Sequence, residues 1–172
     1  MIQVDLSKCT GCRRCEAACA FFHTGRLNPL LARIKVTHLY EIGIDGPVMC
    51  RQCRERYCLK CPEKALSLGA QGEVICSPTV CNLCGVCEKV CPIGAIEIFS
   101  GFVYVCDLCG GDPKCIPACT EGALSFDPET RDRVSLADMK KDTRGLSPVQ
   151  KREVFLRKQG RVLRERWEDK DA

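Results

Sequence analysis

The chain has 172 residues, with 26 Lys and Arg against 22 Asp and Glu, a net charge of +4 and 45% hydrophobic residues. This length suits one compact domain or two small ones. The small charge excess argues against a nucleic-acid partner, and no stretch approaches the roughly 20 apolar residues of a membrane span.

The first residues lack a basic start followed by an apolar run, so a cytoplasmic chain without a secretory segment is expected. Residues 2–6 alternate as a short strand. A first cysteine run follows, Cys9, Cys12, Cys15 and Cys19, spaced C-x2-C-x2-C-x3-C. Arg13 and Arg14 lie inside it, precede no apolar stretch and read as surface charge. Within residues 21–49, positions 34–40 alternate like a strand and 43–47 read as a turn, which predicts a hairpin or cover. The second run is Cys50, Cys53, Cys58 and Cys61, spaced C-x2-C-x4-C-x2-C. The third, Cys81, Cys84, Cys87 and Cys91, repeats the first spacing, and the fourth, Cys106, Cys109, Cys115 and Cys119, reads C-x2-C-x5-C-x3-C. Short strands are predicted before the third and fourth runs, at 74–76 and 102–105. A turn and a strand follow each of the last three runs. The repeated unit is strand, cysteine loop, short helix, strand. Residues 127–144 are polar and irregular. Ser147 and Pro148 form a helix start. A helix over 149–170 is predicted, with a stripe of Val154, Phe155, Val162, Leu163 and Trp167 and a weak point at Gly160.

Sixteen of the 17 cysteines therefore lie in four groups of four. Disulfide frameworks seldom place cysteines two residues apart four times over, whereas a metal or cluster needs neighbouring thiolates on one loop. The C-x2-C-x2-C-x3-C-P run holds 4Fe–4S clusters in bacterial ferredoxins, and sixteen thiolates suffice for four of them. Zinc is the competing occupant, chiefly at the second run, whose last gap is two residues. In two-cluster ferredoxins the last cysteine of each run ligates the cluster of the other run. Spacing leaves two pairings open, adjacent runs or nested runs. Nesting is preferred, because 19 residues separate Cys61 from Cys81 and the first run lacks a closing strand of its own. It predicts Cys9, Cys12, Cys15 with Cys119; Cys106, Cys109, Cys115 with Cys19; Cys50, Cys53, Cys58 with Cys91; and Cys81, Cys84, Cys87 with Cys61. The expected fold class is α+β: nested ferredoxin-like units over 1–126 (outer 1–20 and 100–126, inner 50–99, insert 21–49), then a partner-docking helical extension over 127–172.

The odd cysteine, Cys76, reads as a small apolar residue in a buried strand. His23 and His38 are read as ordinary hydrogen-bonding residues, and Phe99, Phe102, Tyr104 and Phe126 as core around the clusters. No nucleophile with a paired base, phosphate loop or dinucleotide fingerprint is present, so no catalytic residues are assigned. An electron-transfer subunit is the expected function. A stand-alone redox sensor is the alternative, but it needs only one exposed, incompletely ligated site.

These runs resemble the four-cluster, ferredoxin-like electron-transfer subunits of molybdenum and tungsten oxidoreductases. The resemblance covers residues 1–126, and it implies the nested pairing. The phrase Cys106-Asp-Leu-Cys109-Gly-Gly-Asp-Pro-Lys-Cys115, with His23 and residues 28–36, is most similar to the small subunits of tungsten aldehyde oxidoreductases and tungsten benzoyl-CoA reductases. It implies a catalytic partner subunit carrying tungsten or molybdenum and a flavin subunit or ferredoxin as redox partner. Carbon monoxide dehydrogenase, hydrogenase or formate dehydrogenase subunits are the alternative. The chain departs from the pattern at the short last gap of the second run and at Thr120, where proline is common.

Overall fold

In a computed structural model describing residues 1–130 and 133–168, eight short strands pair as four separate antiparallel ribbons. β1 (Ile2–Val4) pairs with β8 (Leu124–Phe126), so the strand before the first cysteine run closes against the strand after the fourth. β4 (Leu66–Leu68) pairs with β5 (Val74–Cys76) between the second and third runs. β6 (Glu97–Phe99) pairs with β7 (Phe102–Tyr104) between the third and fourth. β2 (Lys35–Leu39) and β3 (Ile44–Val48) form the hairpin. Three-residue ribbons cannot stand alone in water. Each instead turns one or two side chains, such as Ile2, Leu66, Val74 and Leu124, into cores shared with the cysteine loops.

The hairpin departs from its sequence reading. Residues 44–47, predicted as turn, belong to β3, and the chain reverses at 40–43 with Gly43 left-handed at φ +60. Pro47 has no N–H to give, but it pairs with Val36 in a ribbon of two edge strands, where proline is tolerated. Gly46 is set by crowding rather than by turning. A Cβ there would stand 2.5 Å from side-chain carbons of Leu6 and Leu156.

Four α-helices complete the described chain: α1 (Arg14–Thr24), α2 (Val86–Val90), α3 (Ala137–Asp142) and α4 (Pro148–Glu168). α1 carries Cys15 and Cys19 one turn apart, both buried, and Gly25 ends it in a left-handed C-cap. α3 lies in the segment predicted to be irregular. Its two turns bury only Met139, too little periodicity to read, while Leu136 just before it is also buried. The start of α4 follows the prediction. The N–H of Gln150 donates to Ser147 Oγ at 3.3 Å, and the N–H of Ser147 donates to Gln150 Oε1 at 2.9 Å. This reciprocal capping box satisfies two otherwise orphaned donors. The last predicted helical residues, 169–170, lie outside the described residues.

α4 does not stand off the body. Leu156 packs with Leu39 and Ile44 of the hairpin, with Leu163 and Trp167 against the same group. Gly160 lets the helix approach closely, since a Cβ there would meet Ile42 and Ile44 at 3.1–3.3 Å. Phe155 turns instead into the core around the second and third runs. Val162, predicted in the apolar stripe, is 48% exposed. Lys151 is buried, and its Nζ donates to the carbonyls of Glu88 and Lys89 at 3.1 and 2.8 Å, at the end of α2. Arg152 donates to the carbonyl of Gly94 at 2.9 Å and pairs with Glu97. Replacing Lys151 by Met would leave two carbonyls without a charged donor, at a cost of about 2 kcal/mol. We expect K151M to lower the anaerobic denaturation midpoint of the loaded protein accordingly. An unchanged midpoint would mean that water replaces the ammonium.

Candidate metal centres

The four cysteine runs share a backbone device invisible to spacing arguments. The residue two after the first cysteine is left-handed in every run: Gly11 (φ +66), Gln52 (+47), Leu83 (+59) and Leu108 (+57). The residue two before the third cysteine is left-handed in three of them: Arg13 (+60), Arg56 (+47) and Gly85 (+76). Side chains in this region cost about 1–2 kcal/mol each, so five non-glycine residues held there mark a demanding local geometry. What the twist achieves is visible at three loops. The N–H of Gly11 points to the sulfur of Cys9, that of Gln52 to Cys50 and that of Leu108 to Cys106, each favouring a thiolate. Two further amides donate to sulfur, Arg33 to Cys19 at 3.2 Å and Ala95 to Cys91 at 3.3 Å.

The side chains converge in sets that mix runs. One cavity is lined by Cys9, Cys12, Cys15 and Cys119. A second is lined by Cys19, Cys106, Cys109 and Cys115. A third is lined by Cys61, Cys81, Cys84 and Cys87, together with Cys76. Each closes on little empty space, about 20, 10 and 10 Å³. Cys91 raises the thiol pKa of each of Cys50, Cys53 and Cys58, so these four share one neighbourhood. The sets also influence one another electrostatically: Cys15 raises the Cys115 thiol, Cys106 that of Cys50, and Cys87 that of Cys58.

Burial pushes the Cys15, Cys58 and Cys106 thiols up to about 12, and neighbouring acidic groups or cysteines add to the effect. Four thiols pressed together out of water resist ionisation unless a cation joins them, and a coordinating metal reverses that balance. Gln52, 3% exposed inside the second run, also carries a buried side-chain nitrogen without a partner among the described residues. Four sulfur donors at each shared site, amides aimed at sulfur and an unpartnered donor fit an acceptor-rich iron–sulfur group.

Several neighbours escaped the sequence reading. His23 Nε2 lies 3.6 Å from Cys109 Sγ and 3.5 Å from Asp107, which also pairs with Arg33. Burial and Arg33 lower the pKa of His23. Its spacing of four from Cys19 on α1, one helical turn, was the available signal. His38 bonds Asp45 at 2.7 Å and accepts from Arg13 Nε at 3.1 Å, an ordinary surface network. Arg14 donates to Thr120 beside Cys119 at 3.0 Å. Of the predicted aromatic core, Tyr104 is buried and Phe126 packs on the outer cluster, but Phe102 is 60% exposed. Cys76 is only half-buried and faces a cysteine cavity.

Among the described residues, no helix is long and apolar enough to cross a membrane. Two family models, each described as a 4Fe-4S binding domain, match the chain, one over residues 1–25 and the other over 77–97. The polyferredoxin-like subunit of aliphatic sulfonate oxidoreductase from Pyrococcus furiosus is 40% identical over 124 residues, 70% of this chain and 71% of that protein. The putative electron transport protein YsaA of Escherichia coli is 35% identical over 140 residues, 72% of this chain and 86% of that one. A solved chain of the active site complex BamBC of benzoyl coenzyme A reductase, as isolated, aligns over 73% of this chain and 74% of its own, with 31% identity and a TM-score of 0.44. With its ferredoxin-type 4Fe–4S binding domains, the chain belongs to the family of polyferredoxin-like iron–sulfur electron-transfer subunits of oxidoreductases.

Proposed function

We propose that the chain holds four 4Fe–4S clusters in a nested row and relays electrons between a tungstopterin catalytic subunit and a flavin subunit or ferredoxin. The observation that carries this reading is the convergence of three cysteines from one run with one from another around shared cavities. Cys9, Cys12, Cys15 and Cys119 would hold the first cluster, and Cys106, Cys109, Cys115 and Cys19 the second. Cys50, Cys53, Cys58 and Cys91 would hold the third, and Cys81, Cys84, Cys87 and Cys61 the fourth. The outer unit is then 1–20 with 100–126, the inner unit 50–99 and the insert 21–49.

A bound cluster supplies one-electron chemistry at a potential set by charge, hydrogen bonds to sulfur and solvent exposure. The chain's own residues supply those levers. Amides of Arg33 and Ala95 stabilise the negative charge on Cys19 and Cys91. The hairpin side chains Ile34 and Val36, with Met49, exclude water from the outer pair. Electrostatic influences of Cys15 on Cys115, Cys106 on Cys50 and Cys87 on Cys58 support an order of the sets from one to four. Cys12 and Cys84, at the two ends of that order, are exposed, which gives each terminal cluster a face for a partner. The tail, 127–172, would dock the catalytic subunit through the exposed side of α4, at Lys158, Arg161 and Arg166. The tungsten assignment rests on the sequence resemblance alone, and a cytoplasmic location is part of the same reading.

The test is anaerobic purification with bound partners. Iron and acid-labile sulfide are each expected at about sixteen per chain, with tungsten in the co-purifying subunit. A count near twelve would remove one cluster, and nickel or molybdenum in the partner would redirect its identity.

A further inference from the structure

The cavity assigned to the fourth cluster has one thiol too many. Cys61, Cys81, Cys84 and Cys87 line it, and Cys76 lines it with them. The two outer-unit cavities are each lined by four cysteines. Cys76 is placed there by backbone bonds. It ends β5 opposite Leu66, and the next N–H, of Ser77, donates to the carbonyl of Ala65 at 2.8 Å. The N–H of Cys81 then donates to the carbonyl of Ser77 at 3.2 Å, closing a turn that brings Cys81 back beside Cys76. Cys81 has the largest influence of any sulfur on the Cys76 thiol, with Cys87 and Cys61 next. A strand residue that only filled space would need no sulfur and no place in the cavity.

We propose that Cys76 is an alternative iron ligand at this site, able to take the corner of Cys81 when Cys81 is lost or displaced. This rests on the reading that the site holds a 4Fe–4S cluster. The exchange is redox-neutral. Cys76 would bind iron as a thiolate in place of Cys81, its proton going to the displaced Cys81 thiolate or, where Cys81 is absent, to water. Cys81 is the sulfur with the largest influence on Cys76, so the exchange is assigned to the Cys81 corner and not to that of Cys84.

The experiment uses the full-length chain loaded anaerobically. Cubane clusters are counted by Mössbauer area, and free thiols by alkylation and mass spectrometry. Wild type and C76A are expected to carry the same cluster number, with Cys76 alkylated in wild type. C81A is expected to keep that number, and its Cys76 to become protected from alkylation. C81A/C76A is expected to lose one cubane in four. C84A should lose one whether or not Cys76 is present. If C81A is as depleted as C81A/C76A, or both fail to fold, with wild type fully loaded, Cys76 does not reach the iron and the proposal is overturned. A wild type one cubane short overturns the four-cluster reading instead.

Discussion

Removing iron is expected to unfold most of the chain. Anaerobic chelation should abolish the native far-UV circular dichroism over residues 1–126, and re-addition of iron and sulfide should restore it. The three ribbons that frame the runs have only three residues per strand, below what holds together in water. The cores they join contain the proposed ligand cysteines themselves: Cys58, Cys87 and Cys91 in one, Cys15, Cys19, Cys106 and Cys115 in the other. Without a bound group, buried thiols press on one another and five non-glycine loop residues stay left-handed with nothing to offset their strain. α4 follows the rest. Its Lys151 anchor grips the end of α2 just before Cys91, and Phe155 packs in the same core. An isolated helix of this length is marginal in water, so only partial helicity should survive. A native-like spectrum after complete chelation would show that the polypeptide core folds on its own, against this account.

How far the sequence could be read follows from where the information lies. The cysteine runs are local: a loop of two residues sets which thiolates face one group, so the four runs and the short strands around them were legible. The closing of β1 on β8 was foreshadowed by the missing strand after Cys19. The left-handed residues were not legible, because Gln52, Leu83 and Leu108 are ordinary side chains whose conformation the sulfurs dictate. Gly46 and Pro47 were misread because their letters report turn chemistry, whereas Gly46 is there for its lack of a side chain against Leu6 and Leu156. Cys76 was read as apolar filling because its place in a cysteine cavity depends on the strand register Leu66–Cys76, which spacing does not contain. Asp107 and His23 meet beside Cys109 only after the first and fourth runs are brought together.

The nesting itself has a decisive prediction, because each ligand substitution should remove one cluster and pairs should reveal which cysteines share it. C53A and C91A, 38 residues apart, are each expected to remove one cubane in four, wholly or to a three-iron remnant with its own EPR signal. Combined, they should remove no more than either alone, since Cys91 acts directly on the thiol of Cys53. C84A and C91A, only seven residues apart in one run, should instead remove two. Self-contained runs predict the reverse. Adjacent pairing predicts that C91A shares its loss with C109A rather than with C53A. The substitution at Cys91 is mild for the backbone, because its N–H already caps α2 on the carbonyl of Cys87 at 3.2 Å and alanine keeps that bond. What changes is the sulfur, which accepts from the amide of Ala95 at 3.3 Å and stands among Cys50, Cys53 and Cys58. Since Cys50 of this set is the thiol influenced by Cys106, losing it should also break the row between the outer and inner pairs. C91A is therefore expected to take up electrons at the exposed Cys84 end without passing them to the Cys12 end. Stopped-flow reduction should record this as two cluster populations that no longer equilibrate on the wild-type timescale. Rapid equilibration in C91A would mean that electrons bypass the third set.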